Sequence, residues 1–297
     1  MNKDSLERRI EEAIDRSSAG GCPPRLAEAL EYAVFPGGGR VRPLLTLACA
    51  EACGASDLSV AEGAATAIEL IHCASLVHDD MPCFDDAQIR RGKPALFRAF
   101  GEPMALLVGD ALITLAFEEV ALTAIAGAER AAQLTRIVAR GLGTAHGIIG
   151  GQAWELEDKI DLVRYHRAKT ASLFEAACAA GAVAAGVDGE PWRQVGRLLG
   201  EAYQLADDLA DATGDAASLG KPTGQDSNNN TPSAVKSLGL LTTVERLESR
   251  LAAAKRAIPD CQGRDGLAAL IDSVGHRLCP PDLKQRIEQA AVAGAAA

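Results

Sequence analysis

Two aspartate-rich segments, each closing a mostly apolar run, constrain this chain more than any other feature. The first is His78-Asp79-Asp80-Met81-Pro82-Cys83-Phe84-Asp85-Asp86, followed by Arg90-Arg91-Gly92-Lys93-Pro94. The second is Tyr203-Gln204-Leu205-Ala206-Asp207-Asp208-Leu209-Ala210-Asp211. Asp207 and Asp211 are four apart and Asp208 and Asp211 three apart, so a helix is expected to gather all three on roughly one face. Like charges so placed cost roughly a few tenths of a kcal/mol per pair, and a hard divalent cation with oxygen ligands offsets that cost. Asp79 and Asp85 are six apart, a spacing that a straight helix does not align. Pro82 predicts a break there, because proline lacks an N–H and clashes with the preceding turn. Asp79 and Asp80 are therefore read as the C-terminal end of a helix, and Asp85 as returning from the bulge after it. Carboxylates at a helix C-terminus oppose the helix dipole, which again points to a cation. One such cluster alone is most simply a solvated acidic surface. Two clusters ending apolar segments, one of them followed by cations, are harder to explain that way and point to a metal site.

The pattern around the clusters is helical. Leu26, Leu30 and Val34 recur every four residues, Leu44 to Cys53 resumes a helix after a glycine-rich turn at 35–43, and Val60 to Asp80 is a long apolar helix. Met104 to Ala128 and Glu129 to Gly141 read as two more. An acidic stretch runs to Asp161, Leu162 to Val187 is alanine-rich, and Trp192 to Asp211 carries the second cluster. Gly214 to Pro232 has loop composition. Leu238 to Ile258 and Gly266 to Val292 read as helices, the latter interrupted at Pro280-Pro281, and the final alanines are expected to fray. Alternating β-branched runs are scarce, so an all-α bundle is expected, with a site among its facing helices. It is read as one domain over 1–297.

The net charge of −10 argues against a nucleic-acid partner, so any anionic substrate needs local cations or metals. The eight cysteines form no Cys-x-x-Cys pair and are expected to be reduced thiols in a cytoplasmic protein. Residues 1–9 are highly charged and unlike a signal sequence. The apolar stretch 104–128 contains Asp110, Glu118 and Glu119 and reads as a core helix, not a membrane span.

At these motifs the chain resembles the trans-isoprenyl diphosphate synthases, most closely the bacterial geranylgeranyl diphosphate synthases of the carotenoid branch. The likeness runs from about 26 to 232. Its motifs are Gly-Gly-x-Arg-x-Arg-Pro at 37–43, Asp-Asp-x-x-x-x-Asp at 79–85, Arg-Arg-Gly-Lys-Pro at 90–94, Gly-Gln at 151–152, Lys-Thr at 169–170, Gln-x-x-Asp-Asp-x-x-Asp at 204–211 and Gly-Lys at 220–221. The resemblance implies an isoprenoid-synthase-type helical bundle around a central apolar cavity. It implies condensation of isopentenyl diphosphate with allylic diphosphates (dimethylallyl, geranyl, farnesyl) to give geranylgeranyl diphosphate. Three Mg²⁺ ions are expected on Asp79, Asp85 and Asp207, with Asp80, Asp208 and Asp211 in support. Arg90, Lys169 and Lys221 are expected around the leaving diphosphate, and Arg42, His72 and Arg91 around the second substrate. Thr170 and Gln204 are expected to present oxygen dipoles to the allylic cation. The resemblance also implies a homodimer.

Two departures stand out. The family usually has Gly-Gly-Lys-Arg, and here Gly39 stands at the lysine, with Arg40 beside it as the expected substitute cation. The family also usually carries a lysine in the loop after the second cluster, where this chain has Ser227-Asn228-Asn229-Asn230-Thr231-Pro232. Ala74 and Ser75, a helical turn before Asp79, are expected to line the growing chain's path, and their small size predicts a C20 product. The competing readings are a farnesyl-forming synthase, a terpene cyclase and a non-catalytic partner subunit.

Overall fold

A long helix ending at the first aspartate cluster and a wholly buried helix beside it set the architecture. The computed structural model describes residues 3–35, 38–159, 161–213 and 234–287. The helices are α1 (Lys3–Ser18), α2 (Pro24–Val34), α3 (Val41–Ala52), α4 (Ser59–Asp79), α5 (Leu96–Phe100), α6 (Glu102–Leu122), α7 (Ala128–Leu142), α8 (Ile148–Trp154), α9 (Leu162–His166), α10 (Ser172–Ala184), α11 (Arg193–Thr213), α12 (Ala234–Leu238), α13 (Leu240–Arg256) and α14 (Arg264–Leu278). Helix resumes at 281–287 after the expected proline break. The expected loop at 214–232, with Lys221 and the asparagine run, lies outside the described residues, as do the last alanines.

Every residue of α10 is buried, and it packs against α3, α4, α7 and α11. Its sequence, Ser-Leu-Phe-Glu-Ala-Ala-Cys-Ala-Ala-Gly-Ala-Val-Ala, explains this. Small side chains all round let neighbours approach from every direction. Helix α4 is also largely core and packs on α3, α6 and α10. It is long and apolar enough to cross a membrane by length and composition, and 78% of its most apolar window is buried inside the fold. The main core joins these helices to α1–α3, α6 and α7; a smaller cluster seats α11 on α13, α14 and residues 283–287. Arg9 and Arg16 of α1 clamp the fully buried Glu119 of α6.

The structure departs from the expectation of one helix over 104–128. Helix α6 stops at Leu122 in a 3₁₀ turn, Thr123–Ala126, and Gly127 takes φ 125° before α7 begins. A short hairpin was not expected. β1 (Ile89–Arg90) pairs antiparallel with β2 (Lys93–Pro94), with Arg90 opposite Lys93. Arg91 and Gly92 form its turn with φ 51° and 77°, the signs that a tight two-residue hairpin requires. For arginine that conformation costs about 1–2 kcal/mol. Lys93 ties the hairpin to the C-terminal end of α2: its ammonium donates to the carbonyls of Tyr32 (2.7 Å) and Phe35 and lies over the Tyr32 ring.

Candidate active site

Helix α4 aligns Glu69, His72, Leu76 and Asp79 at steps of three and four, so one face ends at the first aspartate cluster. That face meets α11, α8 and the N-terminus of α3 around a cavity of about 280 Å³. Asp79 and Asp207 both line this cavity, so the two acidic segments are brought together as expected.

After α4 the chain folds back on itself. The Asp85 N–H donates to the Asp79 carbonyl (2.9 Å) and the Ala87 N–H to that of Asp80 (3.1 Å), so Asp85 returns beside Asp79. Asp79, Asp85 and Glu155 place carboxylate oxygens within 4.8 Å of one another. Asp79 Oδ1 is buried and accepts no hydrogen bond among the described residues; the Lys169 ammonium stands 3.6 Å away. Lys169 also donates to Glu155 (2.6 Å). Burial disfavours its charge, but Asp79, Glu155 and Asp85 outweigh that and hold its pKa above the ordinary value. An all-oxygen donor set with an unsatisfied buried oxygen fits a hard divalent cation. Sequence reasoning missed Glu155. The usable signal was its position three residues after Gln152, on the same side of one helical turn.

Lys169 and Thr170 sit in a π-helical turn, Arg167–Ala171, a local widening common at functional sites. Two glycines clasp this turn. A Cβ on Gly151 would lie 2.4 Å from the Lys169 backbone nitrogen, and one on Gly200 would lie 2.4 Å from Ala171 Cα. Gly200→Ala is therefore expected to cost about 1–3 kcal/mol of stability and to lower turnover by displacing Thr170, checked by thermal melting and steady-state kinetics.

Several expected site residues take other roles. Arg40, 2% exposed, is not a free cation. Its guanidinium is held by Glu7 (2.9 and 3.0 Å), Glu69 (2.6 Å) and the Val34 carbonyl (3.1 Å), because a buried charge needs such partners. Asp80, 2% exposed, is gripped by Arg90 through Nε and Nη2, so Arg90 reaches the cavity already paired. Asp208 does not share the Asp207 face. It is 4% exposed and accepts from Gln204 Nε2 (3.1 Å) and the Ala234 N–H (2.7 Å), since adjacent helical residues point about 100° apart. Asp211 is half-buried and is not among the cavity-lining residues. Thr170 lines the cavity, but Gln204 stands behind it, accepting the Thr170 hydroxyl (2.8 Å). Ser75 lines the cavity, whereas Ala74, 1% exposed, is packed in the core.

The cavity lining is basic as well as acidic. Arg42 lies over the Phe174 ring, 4.4 Å from its centroid, and its Nη1 is 3.3 Å from His72 Nε2. Arginine only donates, so Nε2 accepts and the imidazole proton sits on Nδ1. Burial, and then the fields of Arg42, Arg91, Arg90 and Arg40, push the His72 pKa well below its usual 6.5. An unfolded chain takes up a proton at this histidine below about pH 6.5, and the folded protein does not. Stability is therefore expected to fall as pH drops from about 6.5 toward the depressed folded value. The slope stays under about 1.4 kcal/mol per pH unit, because only one proton is taken up. Melting curves of His72→Gln should lose that part of the acid sensitivity.

Residues 23–260 match the sequence profile of the polyprenyl synthetase family. The chain is 48% identical over 287 residues to a geranylgeranyl diphosphate synthase of Cereibacter sphaeroides, covering 95% of this chain and all of that protein. It is 46% identical to one of Rhodobacter capsulatus over 92% and 96% of the two chains. Its fold matches the crystal structure of an FPP/GFPP synthase from Zymomonas mobilis with TM-score 0.76 at 30% identity, over 92% and 98% of the chains. It also matches a geranyltransferase from Helicobacter pylori complexed with magnesium and isoprenyl diphosphate, with TM-score 0.74 at 28% identity, over 91% and 96%. With two acidic segments facing one cavity in a helical bundle, and a family match spanning most of its length, the chain belongs to the polyprenyl synthetase family.

Proposed function

We propose that the protein condenses isopentenyl diphosphate with dimethylallyl, geranyl and farnesyl diphosphates in turn, ending at geranylgeranyl diphosphate. The observation that carries this is one cavity lined by two kinds of group, the carboxylates of Asp79 and Asp207 and the guanidiniums of Arg42 and Arg91. A substrate that must ionise needs its diphosphate at the metal-binding carboxylates. A substrate that must stay intact needs its diphosphate on the guanidiniums.

Asp79, Asp85, Glu155 and Asp207 would hold magnesium, and three ions per site remain part of the proposal. Bound magnesium would neutralise charge gathering on the departing diphosphate. Lys169 fixes a cation beside Asp79 and Glu155, and Arg90, oriented by Asp80, adds a second without reorganising. The Thr170 hydroxyl donates to Gln204, which Asp208 holds in turn, so its oxygen faces the cavity with lone pairs toward a developing carbocation. Leu76, Ile148 and Leu173 supply apolar wall for the prenyl chain and help exclude water. The departing diphosphate is the acceptor for the final proton, so no protein base is assigned.

A cytoplasmic homodimer completes the reading. The eight cysteines are all free thiols, which fits a reducing compartment, and α6 exposes Leu106, Leu107 and Leu122, which fits a subunit contact. The test is incubation of the purified full chain with Mg²⁺, isopentenyl diphosphate and farnesyl diphosphate, with products sized by chromatography. A linear C20 product is expected. A cyclic hydrocarbon instead means a terpene cyclase, and no turnover means a non-catalytic subunit.

A further inference from the structure

The cations lining the cavity fall into two groups. Arg40, Arg90 and Lys169 are each paired with carboxylates: Glu7 and Glu69, Asp80, and Glu155 with Asp79. Arg42, Arg91 and Arg277 also line it, and none of the three makes an ion pair with a carboxylate among the described residues. Arg277 comes from the last turn of α14, an element in which the sequence offered no motif. It is exposed at the cavity mouth.

Arg277 lies beside the backbone at 38–39. A Cβ on Gly38 would meet the Arg91 guanidinium at 3.3 Å, and a Cβ on Gly39 would meet Arg277 Nη1 at 3.6 Å. Two adjacent glycines therefore each have an arginine head as a neighbour, Gly39 with Val41 nearer still. Position 39 is where a lysine was expected, and Arg40 is wholly engaged elsewhere. Arg277 brings a positive charge to the place that position 39 leaves bare. That charge reaches into the cavity: the Tyr203 phenol is held up by burial, while Arg42 and then Arg277 oppose that shift. Three unpaired guanidiniums around one space repel each other unless an anion with several oxygens lies between them, and a diphosphate offers such oxygens to their planar forks.

We propose that Arg277 binds the diphosphate of the non-ionised substrate, supplying from α14 the positive charge that position 39 lacks. This rests on the functional reading above and names a residue of that same site. Arg277 binds substrate and takes no part in bond breaking, so its signature is confined to one Michaelis constant.

The test compares Arg277→Gln and Arg277→Lys in the full chain. With farnesyl diphosphate saturating, Arg277→Gln is expected to raise the KM for isopentenyl diphosphate about tenfold, the lower range for a lost hydrogen bond between charged groups. The KM for farnesyl diphosphate should stay within about twofold and the melting temperature should not change. Arg277→Lys is expected to fall between. In parallel, calorimetric binding of isopentenyl diphosphate to the metal-free protein should weaken by the same factor in Arg277→Gln, and this readout needs no turnover. If the unsubstituted protein binds isopentenyl diphosphate but forms no prenyl product, the functional reading fails while the arginine's role is still decided by calorimetry. Unchanged affinity in Arg277→Gln, an equal rise for both substrates, or a fall in melting temperature with a fall in kcat would overturn the proposal.

Discussion

Asp79→Asn is expected to lower kcat by about 10²- to 10³-fold, the usual loss when one preorganised charge-stabilising group is removed. The substitution keeps the shape of the side chain and removes its charge. Asp79 Oδ1 is buried beside the like charges of Asp85 and Glu155, and the Lys169 ammonium 3.6 Å away keeps Glu155 as its partner when Asp79 is neutralised, so losing that one charge costs the folded protein little. The melting temperature of the metal-free variant should therefore equal or exceed that of the unsubstituted protein. Added Mg²⁺ with inorganic pyrophosphate should raise the melting temperature of the unsubstituted protein and leave Asp79→Asn nearly unmoved, since a ligand stabilises only the state that binds it. Asp208→Asn should behave differently although it too lies in an aspartate cluster. Both of its oxygens already accept hydrogen bonds, from Gln204 and Ala234, so the amide loses one acceptor and stability falls by about 1–3 kcal/mol. If Asp79→Asn retains both full kcat and the pyrophosphate-induced shift, the acidic cluster is not where the metal acts.

Ser75→Phe is expected to move the main product from C20 toward C15. Ser75 lines the cavity one turn before Asp79, and its hydroxyl is already spent on the His72 carbonyl (2.9 Å), so what it offers an elongating chain is its small size. A phenyl ring there occupies space in a cavity of only about 280 Å³. Elongation of farnesyl diphosphate should suffer far more than the first condensation on dimethylallyl diphosphate. Ala74→Phe is expected to shorten the product as well, with a further cost. Its site is sealed in the core, so overpacking takes about 1–3 kcal/mol and lowers the melting temperature. Product chromatography and melting curves on the two variants separate a plugged path from a distorted helix. If both still yield only C20, chain length is set deeper in the bundle.

Much of the fold was legible because its signals are local. The four-residue spacing of Leu26, Leu30 and Val34 and the apolar run into Asp79 are periodicities of single helices, and Pro82 breaks α4 where any helix would break. The alanine-rich run within 162–187 was visible too, but that α10 is buried on every side emerged only from its packing. The hairpin at 89–94 escaped notice because two paired residues per strand carry no alternation to read.

The site was legible in part. The acidic clusters stood out, because repelling charges at the ends of apolar runs demand a reason, whereas Lys169 and Thr170 were marked only by the resemblance. The role of each charge did not stand out. Arg40 and Arg42 are two residues apart and equally basic, yet the first is clamped by Glu7 and Glu69 and the second faces the cavity. Asp207 and Asp208 divide in the same way.

From its residues alone, this chain was bound to form helices carrying carboxylates at defined ends, since helix periodicity and proline breaks act within a few residues. Which charges remain unpaired, and therefore available to a ligand, was decided only by packing. Glu155, Gly200 and Arg277 enter the site from segments distant in sequence, and whether a charge finds a partner depends on what the folded chain brings within about 4 Å of it.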